Sequence, residues 1–198
     1  MGYSSKWLLA MVLAVAPALA QAELSYVYLG VDMLGSELTE DDGAFGEGAD
    51  DRSGGLRINA GYRANYWVGV EAALQSLGEF DTGENDVRYG SLSLSAMFYL
   101  PLVTRIVEPY ARVGGGLMTV EGSFRPDGGF YRRARDTKPM GTAGFGLQFN
   151  VHEDVALRIG VDGYAFETRI GGRVNDEGEL DRADQVISTG HLGLKVMF

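Results

Sequence analysis

VISTGHLGLKVMF, residues 186–198, divides into two sets when every second residue is taken. Gly190, Leu192, Leu194, Val196 and Phe198 form an apolar set, and Thr189, His191, Gly193, Lys195 and Met197 a mixed polar one. Successive side chains of a strand point to opposite faces, so this stretch predicts one amphipathic strand. Its polar face carries His191 and Lys195 in mid-strand, and its apolar face ends on the aromatic Phe198.

The same period recurs upstream. It predicts strands over about residues 24–34, 54–63, 66–77, 87–100, 109–120, 140–149 and 155–166. The alternation is cleanest in the fourth, where Leu92, Leu94, Ala96, Phe98 and Leu100 interleave with Ser91, Ser93, Ser95, Met97 and Tyr99. Between the strands lie an acidic loop at 36–52, a tight turn at Ala64 and Asn65, an acidic loop at 78–86 and a connection at 101–108. A basic loop at 121–138, a short turn at 150–154 and a glycine-rich charged loop at 167–185 follow. Long and short connections alternate. Eight strands in this rhythm predict an all-β, eight-stranded antiparallel up-and-down barrel, with both chain ends at the short-turn rim and the last strand closing on the first. Aromatic residues near that rim (Tyr66, Trp67, Phe98, Tyr99, Tyr110, Phe149 and Phe198) are expected to form an interfacial girdle.

Residues 1–22 stand apart. Lys6 precedes an apolar run, LLAMVLAVA at 8–16, too short to span a bilayer, and Ala-x-Ala sites end at Ala20 and Ala22. That order predicts an export leader over 1–22 and a barrel over 23–198. The 198 residues carry 17 Lys and Arg against 27 Asp and Glu, a formal net charge of −10, and no cysteine. The acidic balance argues against a nucleic-acid partner. Without cysteine there is no disulfide, no thiolate metal site and no acylation cysteine. No stretch after the leader approaches the ~18 consecutive apolar residues of a membrane-spanning helix.

Alternation by itself permits two barrels. A soluble one places the apolar set inside; a membrane-spanning one places it outside. Arg57, Glu71, Arg112, Arg158, Asp162 and Lys195 all sit in mid-strand on the mixed face. Together with the lopsided connections and Phe198, they point to the membrane arrangement, with short turns periplasmic and long loops extracellular.

With these pieces assembled, residues 23–198 resemble the OmpA/OmpX-like eight-stranded outer-membrane barrels, a porin-like family. The carriers are the leader, the strand pattern, YARVGGGL at 110–117 and GHLGLKVMF at 190–198. These motifs are specific to the class and not to one member. The resemblance implies a bacterial outer-membrane location. It also implies that Leu192, Leu194, Val196 and Phe198 form the terminal signal engaged by the barrel-assembly machinery.

Three regions could carry chemistry. Asp32, Arg57, Arg63, Glu71, Arg112, Arg158, Asp162, His191 and Lys195 share the expected inner face. A barrel of this size is only wide enough for side chains to fill, so these charges are expected to pair into a plug. A narrow pore or small-solute site is the alternative. The expected polar contact region for lipopolysaccharide phosphates or an external partner is Arg125, Arg132, Arg133, Arg135 and Lys138, in the basic loop beside Phe130 and Tyr131. Catalysis has the weakest support: Ser188 and His191, at odd spacing, fall on opposite strand faces. Lipid A modification is therefore the least favoured reading, and no enzyme activity, cofactor or metal is expected. The acidic first loop lacks the ligand spacing of a calcium loop, and the Gly114–Gly116 run lacks the Lys and Ser/Thr of a phosphate loop. A monomeric structural or interaction protein is the reading these features favour.

Overall fold

The computed structural model describes residues 25–40, 52–81, 86–101, 106–124, 132–168 and 183–198. The leader and residues 41–51, which hold most acids of the first loop, lie outside the described residues, as does Arg125. Eight strands follow in chain order: β1 (Tyr26–Glu40), β2 (Arg52–Arg63), β3 (Val68–Asp81), β4 (Asp86–Tyr99), β5 (Val107–Phe124), β6 (Arg132–His152), β7 (Val155–Thr168) and β8 (Ala183–Met197). Each pairs antiparallel with its sequence neighbours, and β1 pairs with β8 from Tyr28↔Met197 to Glu40↔Gln185, so the sheet closes. The main-chain N–H of Phe198 donates to the carbonyl of Val27 at 2.9 Å, which ties the last residue to the first strand.

The strands are inside out relative to a soluble barrel. Leu94 and Phe145 are 63% and 66% exposed, while Arg57 and Lys195 on the opposite parity are 1% and 0%. Leu29, Val31, Ile58, Leu74, Leu92, Val113, Ile159 and Leu194 continue the outward apolar set around the circumference. A belt this extensive has no stable exposure to water, but it suits hydrocarbon, where closure supplies every backbone N–H and C=O with a partner. The fold class read from alternation is the observed one.

Several strands run beyond the belt, and here the sequence reading needs correction. β6 starts at Arg132, so Arg132, Arg133, Arg135 and Lys138 belong to a strand and not to a loop. β5 and β6 make a hairpin paired as far as Phe124↔Arg132. Likewise Gly78 does not begin a loop. At φ +96° it lets β3 take a bulge between Ser76 and Gly78 and continue to Asp81 against Asp86. Charge and glycine content made both segments look irregular, whereas a strand above the lipid needs no apolar face.

At the opposite rim the connections are short. The first is two residues longer than expected: residues 64–67 form the turn, and β3 begins at Val68 and not at Tyr66. The Asn65 side-chain oxygen accepts the N–H groups of Trp67 and Val68 at 2.8 and 3.0 Å, a local pairing that opens the turn. Trp67, Phe98 and Phe198 face outward near this rim, at 57%, 46% and 72% exposure. Tyr99 and Tyr110 do not join them: both are buried inside, because they share strand parity with Met97 and Arg112.

Placing a cation in the belt tests this arrangement. Leu94→Arg should cost about 2–4 kcal/mol of folding free energy, and Ser76→Arg, nearer the hairpin end, about 0–1 kcal/mol. Equilibrium urea titration in lipid vesicles measures both, and equal costs would contradict the belt's position.

Candidate functional site

The lumen is stratified along the barrel axis. At the hairpin end its filling is apolar: Leu34, Leu77, Val87, Tyr89, Met118, Val120, Met140, Tyr164, Phe166 and Ile187 form one cluster. The middle layer is ionic. Arg57 donates from Nε to Asp32 and from Nη1 to Asp162, each at 2.5 Å. Arg158 donates from Nη1 to Glu71 at 2.6 Å and from Nη2 to Asp32 at 3.1 Å. Arg112 lies 3.4 Å from Asp162 and 3.7 Å from Glu71. Three arginines thus share three carboxylates from β1, β3 and β7. All six are essentially without solvent access.

Neutral groups extend this layer, and Arg57 Nη2, Arg112 Nη2 and Arg158 Nε are buried in it without a hydrogen-bond partner. Tyr28 donates to Glu71 at 2.9 Å, and Asn59 donates to Asp32 at 2.9 Å. His191 bridges Tyr110, whose hydroxyl is 2.7 Å from Nε2, and Asp162, 3.2 Å from Nδ1. Such bonds matter because a charge taken out of water is tolerated only when its lone pairs or protons are matched. Glycines give the carboxylates their room: a Cβ at Gly193 would collide with Asp32 Oδ1, and one at Gly144 with Asp162 Oδ1.

Nearer the short-turn rim a second polar layer is built on Arg63 and Lys195. Arg63 pairs with Glu108 at 2.8 Å, donates to the carbonyls of Asn65 and Tyr66, and lies 4.0 Å from the centre of the Tyr99 ring. Lys195 donates to Gln148 at 2.9 Å and sits 3.7 Å above the Tyr28 ring. An aromatic face and an amide take the place of a carboxylate for this ammonium.

All nine inner-face residues named from the sequence point into the lumen. The reading missed Glu108, Tyr28, Asn59, Tyr110 and Gln148, which supply the matching hydrogen bonds. Parity alone could have found Glu108, since it stands two and four residues before Tyr110 and Arg112. The connection expected at 101–108 includes it. Ser188 faces outward while His191 is buried, so these two do not form a pair. Among the described residues, no group of three His, Asp or Glu side chains is placed to hold a metal.

Of the basic contact region, Arg135 is exposed and pairs with Glu121 at 3.4 Å, and Lys138 lies 3.4 Å from Asp136. Arg132 and Arg133 are placed on β6 by their backbone. Leu192 and Leu194 face outward with Phe198 on the wall of β8, and Val196 is half-buried there.

Breaking the ionic layer on one side should be costly. Glu71→Ala should destabilise the barrel by about 3–5 kcal/mol, because Arg158 and Arg112 stay buried without it. Glu71→Leu combined with Arg158→Leu should cost less than the sum of the two single changes, as read by a double-mutant cycle in the same vesicle titration.

Residues 7–198 match the family model described as the outer membrane protein beta-barrel domain. No curated protein matches the sequence. Among solved structures, the neisserial surface protein A is similar at TM-score 0.61 and 18% identity, over 89% of this chain and 100% of that one. The attachment invasion locus protein Ail of Yersinia pestis is similar at TM-score 0.57 and 20% identity, over 88% and 99%. Ail in complex with the heparin analogue sucrose octasulfate is similar at TM-score 0.55 and 18% identity, again over 88% and 99%. At these identities the likeness is one of fold.

Proposed function

The chain belongs to the outer membrane protein β-barrel domain family, and from that premise we propose that it is a non-catalytic, closed anchor that presents its hairpins for contact outside the cell. The observation that carries this reading is the side-chain network that crosses the lumen. Arg57, Arg112 and Arg158 interlock with Asp32, Glu71 and Asp162 across the barrel, below an apolar layer. Ions, in this reading, meet an apolar layer and a set of charges largely paired with one another. In this reading the short turns and both chain ends face the periplasm, and the hairpins face outward. The terminal set Leu192, Leu194, Val196 and Phe198 serves assembly, and the barrel acts as a monomer.

The contact surface in this proposal is the β5–β6 hairpin with Arg125, Arg132, Arg133, Arg135 and Lys138. Its chemistry suits phosphate or sulfate groups, which guanidinium binds by paired charge-assisted hydrogen bonds. Lipopolysaccharide phosphates or a sulfated sugar on an external partner would satisfy it. Ail of Yersinia pestis, a barrel of the same fold, carries a polysulfated sugar in one of its structures.

A narrow solute path is the second reading. It draws on the inward hydroxyls of Ser91, Ser93 and Ser95, which are buried without a protein hydrogen-bond partner, while Gly116 and Gly114 stand opposite Ser93 and Ser95 on β5. That wall of small residues is where a path would run.

One preparation separates the readings. The barrel refolded into a planar bilayer is expected to show no steady single-channel current. Steady steps that change with Glu71→Gln or Arg112→Gln would replace the anchor by a pore. On the same protein in vesicles, replacing Arg132, Arg133 and Arg135 with Ser should weaken lipopolysaccharide or heparin binding by roughly tenfold or more, the scale of losing one or more charge-assisted hydrogen bonds. Unchanged binding would remove the hairpin from the proposal.

A further inference from the structure

On the outer wall formed by β3, β4, β5 and β6, strand register lines up the outward side chains in three rows. Leu74, Leu92, Leu117 and Pro139 make the row that ends the apolar belt. Next come Ser76, Gly90, Thr119 and Thr137, with the two threonine hydroxyls 3.2 Å apart. The row beyond alternates in sign: Glu79, Arg88, Glu121, Arg135. The bulge at Gly78 is what puts Glu79 in this row, since it reverses the parity of β3 above Ser76. Arg88 is held by Glu79 at 2.6 Å and Arg135 by Glu121 at 3.4 Å, yet both guanidinium side chains are 69% exposed.

Gly90 leaves the centre of the wall without a side chain. A Cβ there would find only the Gln75 carbonyl within 4 Å, at 3.6 Å, so the glycine answers no crowding in the barrel itself. The gap forms an outward groove of about 460 Å³ floored by Gly90, with Leu92 and Leu117 below and Arg88 and Arg135 above.

We propose that this groove seats the phosphorylated glucosamine head of one lipid A molecule, with acyl chains lying on the Leu74–Leu92–Leu117 row. The rows follow the section of such a lipid: hydrocarbon, then hydroxyl and amide groups, then phosphate. Arg88 and Arg135 stand two strands apart, about 10 Å at the usual strand spacing, so the two phosphates of one disaccharide head can engage both. Glu79 and Glu121 aim the guanidinium groups, and Glu121, between them, accepts from sugar hydroxyl or amide N–H groups. A single phosphodiester would use one arginine and set its charge against Glu121. The sugar head is therefore the better match. The inference deepens the lipopolysaccharide contact proposed above and rests on the hairpins facing the outer leaflet.

The test is native mass spectrometry of the barrel refolded in phosphatidylethanolamine and phosphatidylglycerol vesicles doped with lipid A. One retained lipid A per barrel is expected. Gly90→Leu, which fills the groove, and Arg88→Ser should each reduce retention about tenfold, the scale of losing one charge-assisted contact. Gly141→Leu, an outward glycine with open space on β6, should leave it unchanged. Retention insensitive to Gly90→Leu and Arg88→Ser, or phospholipid held in place of lipid A, would overturn the groove. Loss seen only with Arg132→Ser and Arg133→Ser would also overturn it, while leaving the hairpin contact standing. No lipid A held by the unmodified barrel would overturn the groove together with the lipopolysaccharide form of the hairpin contact.

Discussion

In hydrocarbon no water is available to a peptide group, so each backbone N–H and C=O within the belt must find its partner in the sheet. The pairing of β1 with β8 meets that demand, and much else follows from it. Because the ring is closed, one strand parity must face lipid and the other a lumen too narrow for bulk water. Apolar residues are thereby sent outward, and charged residues into a space where each needs a counterpart.

The lumen meets this second demand by distributing its partners around the ring. Asp32 on β1 receives Arg57 from β2 and Arg158 from β7, and Glu71 on β3 receives Arg158 as well. Each carboxylate binds groups from separate strands, so the ionic layer braces the barrel across its diameter in addition to the ladder around its wall. Glycines beside Asp32 and Asp162 allow the carboxylates to lie flat against the neighbouring strand. The stabilisation lies in paired contacts, so removing one partner leaves a buried charge unpaired.

Above the belt the constraints relax, and the chain uses that freedom differently. The hairpins carry charge on their exposed faces, as in the Glu121–Arg135 pair, and the Gly78 bulge re-aims one acid to complete a charged row at the belt's edge. A strand in water can display almost any side chain outward, and this is why residues 132–138 resemble a loop in composition while remaining paired with β5.

Fold class was determined by the sequence alone, since period-two alternation is a local property. Leu92 to Phe98 and Gly190 to Phe198 each display it without reference to the rest of the chain, and eight such segments with alternating connections allow little besides an up-and-down barrel. The inward position of Arg57, Arg158 and Lys195 was legible only once the mid-strand charges, the lopsided connections and Phe198 had selected the membrane arrangement. Only the tertiary structure decided who meets whom. Arg57 reaches Asp162, 105 residues away, and Arg158 reaches Asp32, 126 away, because closure and register bring distant strands to the same height. It also decided where strands end, since bulge geometry at Gly78 and pairing above the belt leave no periodic trace. The groove over Gly90 belongs to this second kind: it exists through the alignment of four strands, and no one of them carries its pattern.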